Sequence, residues 1–245
     1  MSLRAVIYDV WILGIGLQTV LALVLLGKRA WQRYPVFSAY VFLNLFGAAL
    51  SYAVFQNKIV YFYAFWICEA VGIILGLGVV REIFTNVFSP HPALRRLAKI
   101  IFRVAVVGLV VLAVGAIYAQ SGNAKSIPYA VLLAAQAARI VEVGLIMFLF
   151  LCSSAFGLHW RQNVFGMALG LGMIGAVELV TVTLMGHVNS ATAETLNLVH
   201  GISFSTSLLI WLGYLLAPER LVAVEVPKRA QLEQWNQAVT ELISR

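Results

Sequence analysis

The chain has 245 residues, of which 62% are hydrophobic and 11% are charged, and its mean hydropathy is +0.92. These values lie outside the range of soluble globular proteins and predict an integral membrane protein. The net charge of +7 requires no nucleic-acid partner, because membrane proteins retain Lys and Arg in their cytoplasmic loops. The first apolar segment lacks a small-residue cleavage site, so we interpret it as a retained helix and not as a signal peptide.

Seven apolar segments have roughly the twenty residues that a helix needs to cross the hydrocarbon layer. The sequence therefore predicts an all-α fold, a seven-transmembrane-helix bundle over residues 1–218. A cytosolic tail with a short amphipathic helix follows over residues 219–245. The predicted spans are residues 6–26, 35–55, 60–80, 100–118, 127–151, 164–185 and 196–216.

Basic residues are unevenly divided between the two sets of predicted loops. Three lie on one side, namely Arg4, Lys58 and Lys125. Thirteen lie on the other side, namely Lys28, Arg29, Arg33, Arg81, Arg95, Arg96, Lys99, Arg103, Arg161, Arg220, Lys228, Arg229 and Arg245. Because the richer side is retained in the cytosol, we expect a multi-pass protein of the cytoplasmic (inner) membrane with its N-terminus outside and its C-terminus in the cytosol.

Ionisable residues lie inside the predicted membrane segments. Arg139 and Glu142 are in the middle of the fifth segment, where an ionised group costs about 2.5 kcal/mol or more unless it faces protein or water. Counting the helical rise from the outer ends places Glu69 at the level of Arg139 and Glu178 nearer to the outer surface. We therefore predict that Arg139 pairs with Glu69 across helices, with Glu142 as the alternative partner.

Full ionisation of three glutamates beside one arginine would leave two uncompensated negative charges. At least one glutamate is expected to keep its proton, because desolvation and a neighbouring like charge both favour the neutral carboxyl. The alternative is that the Arg–Glu pair only fixes helix register and that the serines bond back to their own helix. The candidate ligand or proton site comprises Gln18, Asn44, Glu69, Gln136, Arg139, Glu142, Glu178, Asn197, His200, Ser203 and Ser207.

Catalytic and metal-binding motifs do not emerge from the sequence. H-E-x-x-H and G-x-S-x-G are missing, and no ligand spacing relates His91, His159, His187 and His200. The two cysteines lie on different segments and support no disulfide. We expect neither an enzyme nor a bound cofactor.

Seven helices in a chain of this length resemble the layout of microbial rhodopsins, but the seventh segment has no lysine for a retinal Schiff base. The layout also resembles the seven-helix input regions of some bacterial signalling proteins, in architecture alone.

The tail contains apolar residues at the spacing of one helix face, namely Leu232, Trp235, Val239 and Leu242. This stripe predicts contact with a protein partner or with a second copy of the chain. Packing on the inner surface of the same chain is the alternative.

These features together predict a sensor or receptor-like membrane module with an outward-opening polar cavity for a small ligand or a proton. A proton-coupled secondary transporter and a non-catalytic assembly subunit are the alternatives. A transporter requires a polar path to both faces, a sensor requires an occluded inner side, and an assembly subunit requires no cavity.

Overall fold

The computed structural model describes residues 3–54, 56–88, 96, 100–108, 111, 115, 126–156, 162–185 and 190–217. The regular elements among these residues are all helical, which confirms the predicted all-α fold for this part of the chain. The helices are α1 (Leu3–Gly27), α2 (Ala30–Arg33), α3 (Pro35–Ala53), α4 (Lys58–Val87), α5 (Ser126–Phe156), α6 (Gln162–Met185) and α7 (Ser190–Leu216). Residues 100–108 are helical as well.

Five stretches within these helices are long and apolar enough to cross a membrane: Ala5–Gly27, Pro35–Ala53, Lys58–Val87, Asn163–Thr181 and Thr192–Leu216. Each of them overlaps a predicted span. The α5 helix has 31 residues and carries Arg139 and Glu142. The predicted fourth span at 100–118 is described only in part. The predicted tail helix, with Leu232, Trp235, Val239 and Leu242, lies outside the described residues.

The start of α3 is held by a carboxylate from the neighbouring helix. Pro35 occupies the first turn, where its missing N–H removes no helix hydrogen bond. Glu82 of α4 accepts hydrogen bonds from the main-chain N–H groups of Val36 at 3.2 Å and Phe37 at 2.9 Å. A carboxylate in this position satisfies free donors and complements the positive end of the helix dipole, so it fixes α3 against α4.

The C-terminal ends of α1 and α7 are joined in a related way. Lys28 follows α1, and its ammonium group donates to the main-chain carbonyl of Leu215 at 2.7 Å. This cation satisfies a free carbonyl in the last turn of α7 and lies at the negative end of the helix dipole. The next residue, Arg29, has φ 52° and forms the tight turn into α2.

The long helices form a bundle in which α1 contacts α3 and α7, α4 contacts α3, α5 and α6, and α6 contacts α5 and α7. One end of this bundle is an apolar core of almost fully buried side chains. We call it the closed end and define it by Leu25, Phe37, Val80, Leu149, Leu171 and Leu208. These residues come from the C-terminal parts of α1, α4, α5 and α7 and from the N-terminal parts of α3 and α6, so α3 and α6 run antiparallel to the other four long helices.

Candidate functional site

Arg139 lies at the centre of a cluster of four charged side chains from three helices. Its Nη1 donates to Oε2 of Glu142 at 2.8 Å, one turn along α5. Its Nε lies 3.0 Å from Oε2 of Glu178 on α6, and its Nη2 lies 3.7 Å from Oε1 of Glu69 on α4. We call Glu69, Arg139, Glu142 and Glu178 the charge cluster. It ties α4, α5 and α6 together.

The three carboxylates differ in how far they are exposed. The side chain of Glu142 is 3% exposed, that of Glu178 is 19% exposed and that of Glu69 is 30% exposed. A separation of 3.7 Å exceeds a hydrogen-bond length, so Glu69 is held to Arg139 by charge alone. Glu69 is therefore the carboxylate with the most freedom to contact a ligand.

Glu142 reaches from α5 into α4 at Gly76. A Cβ atom at position 76 would collide with Oε1 of Glu142. This oxygen is buried and has no hydrogen-bond partner among the described residues. A side chain at position 76 would therefore have to displace the carboxylate of Glu142. A buried carboxylate oxygen without a donor is costly if the group is ionised.

Glu178 lies closer to Arg139 than the depth estimate from the sequence implied. That estimate assumes helices that begin at one level and stand upright, whereas transmembrane helices tilt by about 20° on average. The long arginine side chain also reaches across a difference in height. The structure therefore brings all three glutamates to Arg139 and does not select one of them.

A cavity of about 930 Å³ lies between α1, α3 and α4 and extends to the charge cluster. Its volume is within the range of small-molecule sites. Glu69 and Arg139 contribute charge to its wall, and Gly72 leaves space in it. The other lining residues include Tyr8, Trp11, Tyr40, Asn44, Ser51, Tyr52, Gln56, Tyr61, Phe65 and Cys68. Most of them belong to the start of α1, the end of α3 and the start of α4, so the cavity lies at the end of the bundle opposite the closed end.

The floor of the cavity contacts the apolar core of the closed end through aromatic rings. Tyr40 lines the cavity and packs edge to face against Trp211 of α7, with ring centroids 6.4 Å apart. Trp211 also packs at 5.1 Å against Phe37, and its indole N–H donates to the main-chain carbonyl of Met167 at 3.3 Å. The cavity floor is thereby linked to α6 and α7 at the closed end.

Three of the polar residues selected from the sequence make defined hydrogen bonds. The amide of Asn44, which lines the cavity, donates to the main-chain carbonyl of Tyr40 at 2.9 Å. Gln18 is buried and donates to the carbonyl of Val41 at 3.3 Å. Ser207 is buried and donates to a main-chain carbonyl of α6 at 3.0 Å. Gln18 and Ser207 therefore join helices, whereas Asn44 belongs to the cavity wall.

Four other selected residues lie away from the cavity. Asn197 is exposed, Gln136 and His200 are half-buried, and Ser203 is buried. None of these four described residues lines the cavity. The residues selected from the predicted seventh span are thus divided, because Asn197 is exposed whereas Ser203 and Ser207 are buried inside the bundle.

The aromatic lining of the cavity was not predicted from the sequence, since Tyr40 and Tyr52 were not among the selected residues. A signal was present, because Tyr40, Asn44, Ala48 and Ser51 recur at helical spacing and define one face of the predicted second span. All four residues line the cavity.

Among the described residues, no group of three or more His, Cys, Asp or Glu side chains is arranged to hold a metal ion. The chain matches no protein-family model, no curated protein and no solved structure. The cavity, the charge cluster and the closed end are therefore the features that bear on its function.

Proposed function

We propose that the protein is a sensor or receptor-like module of the cytoplasmic membrane. Seven spans would form the bundle, with the N-terminus outside and the tail in the cytosol. A small ligand or a proton would enter the cavity from outside and act on the charge cluster. The tail helix would contact a protein partner or a second copy through Leu232, Trp235, Val239 and Leu242.

The observation that carries the proposal is the contrast between the two ends of the bundle. One end holds a cavity of about 930 Å³ that extends to Arg139, and the other end is a core of buried apolar side chains. The positive-inside rule assigns the cavity to the outer half. A cavity that is open on the outside and backed by packed apolar side chains is the arrangement expected of a receptor.

The same contrast weighs against the alternatives. A transporter must give its substrate access to both faces in turn, and the packed closed end opposes such access in this conformation. An assembly subunit has no need of a cavity. The buried carboxylates of the charge cluster keep the proton-coupled transporter as the second candidate, because intramembrane carboxylates are typical of proton relays.

The contact between Tyr40 and Trp211 suggests how a change in the cavity reaches the cytosol. Trp211 belongs to α7, the described helix that directly precedes the tail. The end of α7 is held by Lys28. We propose that a ligand that displaces Tyr40 shifts Trp211 and alters the position of α7 relative to α6. The tail that follows α7 would then change its contact with the partner.

Access to Cys68, which lines the cavity, tests the proposal. Cys152→Ser makes Cys68 the sole thiol, because the chain has two cysteines. A membrane-impermeant maleimide is then applied to intact cells and, separately, to inside-out vesicles. We expect labelling from outside and protection from inside. Labelling from both sides would favour the transporter, and no labelling from either side would overturn the receptor proposal.

A matched control places a thiol in the apolar core of the closed end. Ala168→Cys in a chain without the two native cysteines changes a fully buried small residue at the closed end. This thiol should react from neither side. Reaction of the control thiol from inside would show that the closed end opens, which contradicts the proposed occluded inner half.

A further inference from the structure

The charge balance at the base of the cavity determines which ligands it favours. Arg139 has two closer partners, Glu142 at 2.8 Å and Glu178 at 3.0 Å, so its charge is already matched. Glu69 lines the cavity and lies 3.7 Å from Arg139. An anion at this position would meet more carboxylates than cations. A cation would find a carboxylate without a hydrogen bond to the arginine.

The walls of the cavity favour the same sign of charge. Tyr8 and Trp11 of α1 stack with ring centroids 6.2 Å apart, and Tyr61 and Phe65 of α4 stack at 6.3 Å. All four residues line the cavity. The face of an aromatic ring carries negative charge and attracts organic cations, as in the aromatic cages that bind quaternary ammonium groups.

The size of the cavity favours an organic cation over a metal ion or a proton. About 930 Å³ is far more space than a single ion requires, and it matches the volume of sites for small organic molecules. An aromatic lining also desolvates an alkylammonium at low cost, whereas it gives no ligands to a strongly hydrated metal ion.

From these observations we propose that the cavity binds a small organic cation, an amine or a quaternary ammonium compound, with its charged group beside Glu69 and its alkyl part against the aromatic walls. This inference rests on the proposed outward-facing receptor site and names the class of its ligand.

Charged thiol reagents measure the charge preference of the cavity directly. Cys68 is reacted with two methanethiosulfonates of similar size, one carrying a trimethylammonium group and one a sulfonate. Each rate is divided by the rate of the same reagent with 2-mercaptoethanol. We expect the normalised rate of the cationic reagent to be about tenfold higher or more. Equal rates or a faster sulfonate would overturn the inference.

Two variants on one helix provide the matched comparison. Glu69→Gln removes the carboxylate of the cavity wall and should lower the ratio of rates several-fold. Glu82→Gln removes a carboxylate of the same helix that lies at the start of α3 and should leave the ratio unchanged. Should Glu69→Gln fail to fold, Phe65→Leu provides a second test, because loss of one ring should still lower the ratio.

Protection by small molecules then tests binding itself. Choline and 3,3-dimethylbutan-1-ol have the same shape, but the second carries no charge, and isethionate is an anion of similar size. Choline should slow the reaction of Cys68 with N-ethylmaleimide at a concentration about tenfold lower than the alcohol requires, and isethionate should give no protection. Equal protection by all three would overturn the inference. Failure of Cys68 to react at all would instead refute the open cavity and with it the proposed function.

Discussion

Replacing Arg139 by leucine removes a guanidinium that lies within 3.7 Å of three carboxylates. Breaking a buried ion pair by removal of one partner typically costs about 3–5 kcal/mol, since the remaining charge is left uncompensated. We expect Arg139→Leu to lower the free energy of unfolding by that amount. Arg81→Leu is the control, because Arg81 is exposed on α4 and surface changes usually stay within about 0.5 kcal/mol.

The three glutamates should contribute unequally to this loss. At an effective dielectric constant of about 20, separations of 2.8, 3.0 and 3.7 Å correspond to roughly 6, 5.5 and 4.5 kcal/mol before desolvation. The three energies differ by only about a quarter of the largest value. Burial and the hydrogen bond to Glu142 therefore decide the order of the three couplings. Coupling to Arg139 should be largest for Glu142, about 1–3 kcal/mol, then smaller for Glu178, and smallest for Glu69.

Double-mutant cycles with Glu→Gln at each position measure these couplings. The assay is reversible unfolding in mixed detergent micelles, followed by circular dichroism. Glu69→Gln alone should be nearly neutral or stabilising, because it relieves repulsion among the carboxylates. A coupling for Glu69 as large as that for Glu142, or a loss below about 1 kcal/mol for Arg139→Leu, would refute this account of the charge cluster.

Further predictions concern other parts of the molecule. Gly76→Ala should destabilise the bundle by about 1–3 kcal/mol, because its methyl group meets Glu142. A Cβ at Gly72 meets no described atom within 4 Å, so Gly72→Ala should leave the melting temperature nearly unchanged. Thermal melts of the two variants measure the difference. Glu82→Leu should cost about 1 kcal/mol through loss of the α3 cap, and Glu82→Gln should cost less because its amide oxygen still accepts one bond. Infrared difference spectra at neutral pH should show a protonated carboxyl band that one of the three Glu→Gln changes in the charge cluster removes, and persistence of the band in all three would assign the proton elsewhere. Deletion from Lys228 onward should abolish partner binding or dimerisation without lowering the melting temperature of the bundle, and unfolding of the bundle would show that the tail clamps its inner face.

Hydropathy predicted the long helices because membrane thickness sets their minimum length. The predicted second span begins at residue 35 and α3 begins at Pro35, since the proline marks the first turn. The predicted third span ends at residue 80, but α4 continues to Val87. The apolar segment ends at the first charged residues, whereas the helix continues through Glu82, which caps α3. The four-residue α2 was missed, because so short a helix has no measurable periodicity.

The composition of the charge cluster was readable from the sequence, but its geometry was not. An ionised group in a membrane span requires a partner, and that requirement selected Arg139, Glu69, Glu142 and Glu178. Their distances depend on tilt, rotation and offset of three helices, which packing between helices determines. For the same reason the contact between Tyr40 and Trp211 could not be derived, since it requires the relative rotation of α3 and α7.

If the cavity binds a cation as proposed, the excess of carboxylates in the charge cluster would link the stability of the bundle to the occupant of the cavity. A network that served only packing would be expected to balance its charges, because every uncompensated buried charge is costly. One guanidinium neutralises only one of three ionised carboxylates, so a proton or a bound cation would have to compensate the remaining negative charge. A ligand that binds only the folded state adds about 2.7 kcal/mol of stability at a hundred times its Kd. Since α4, α5 and α6 meet at these four side chains, entry of a positive charge would act on three helices at once. A local change of charge at a junction of helices is the physical basis of many switches, and here the junction lies between the cavity and the closed end.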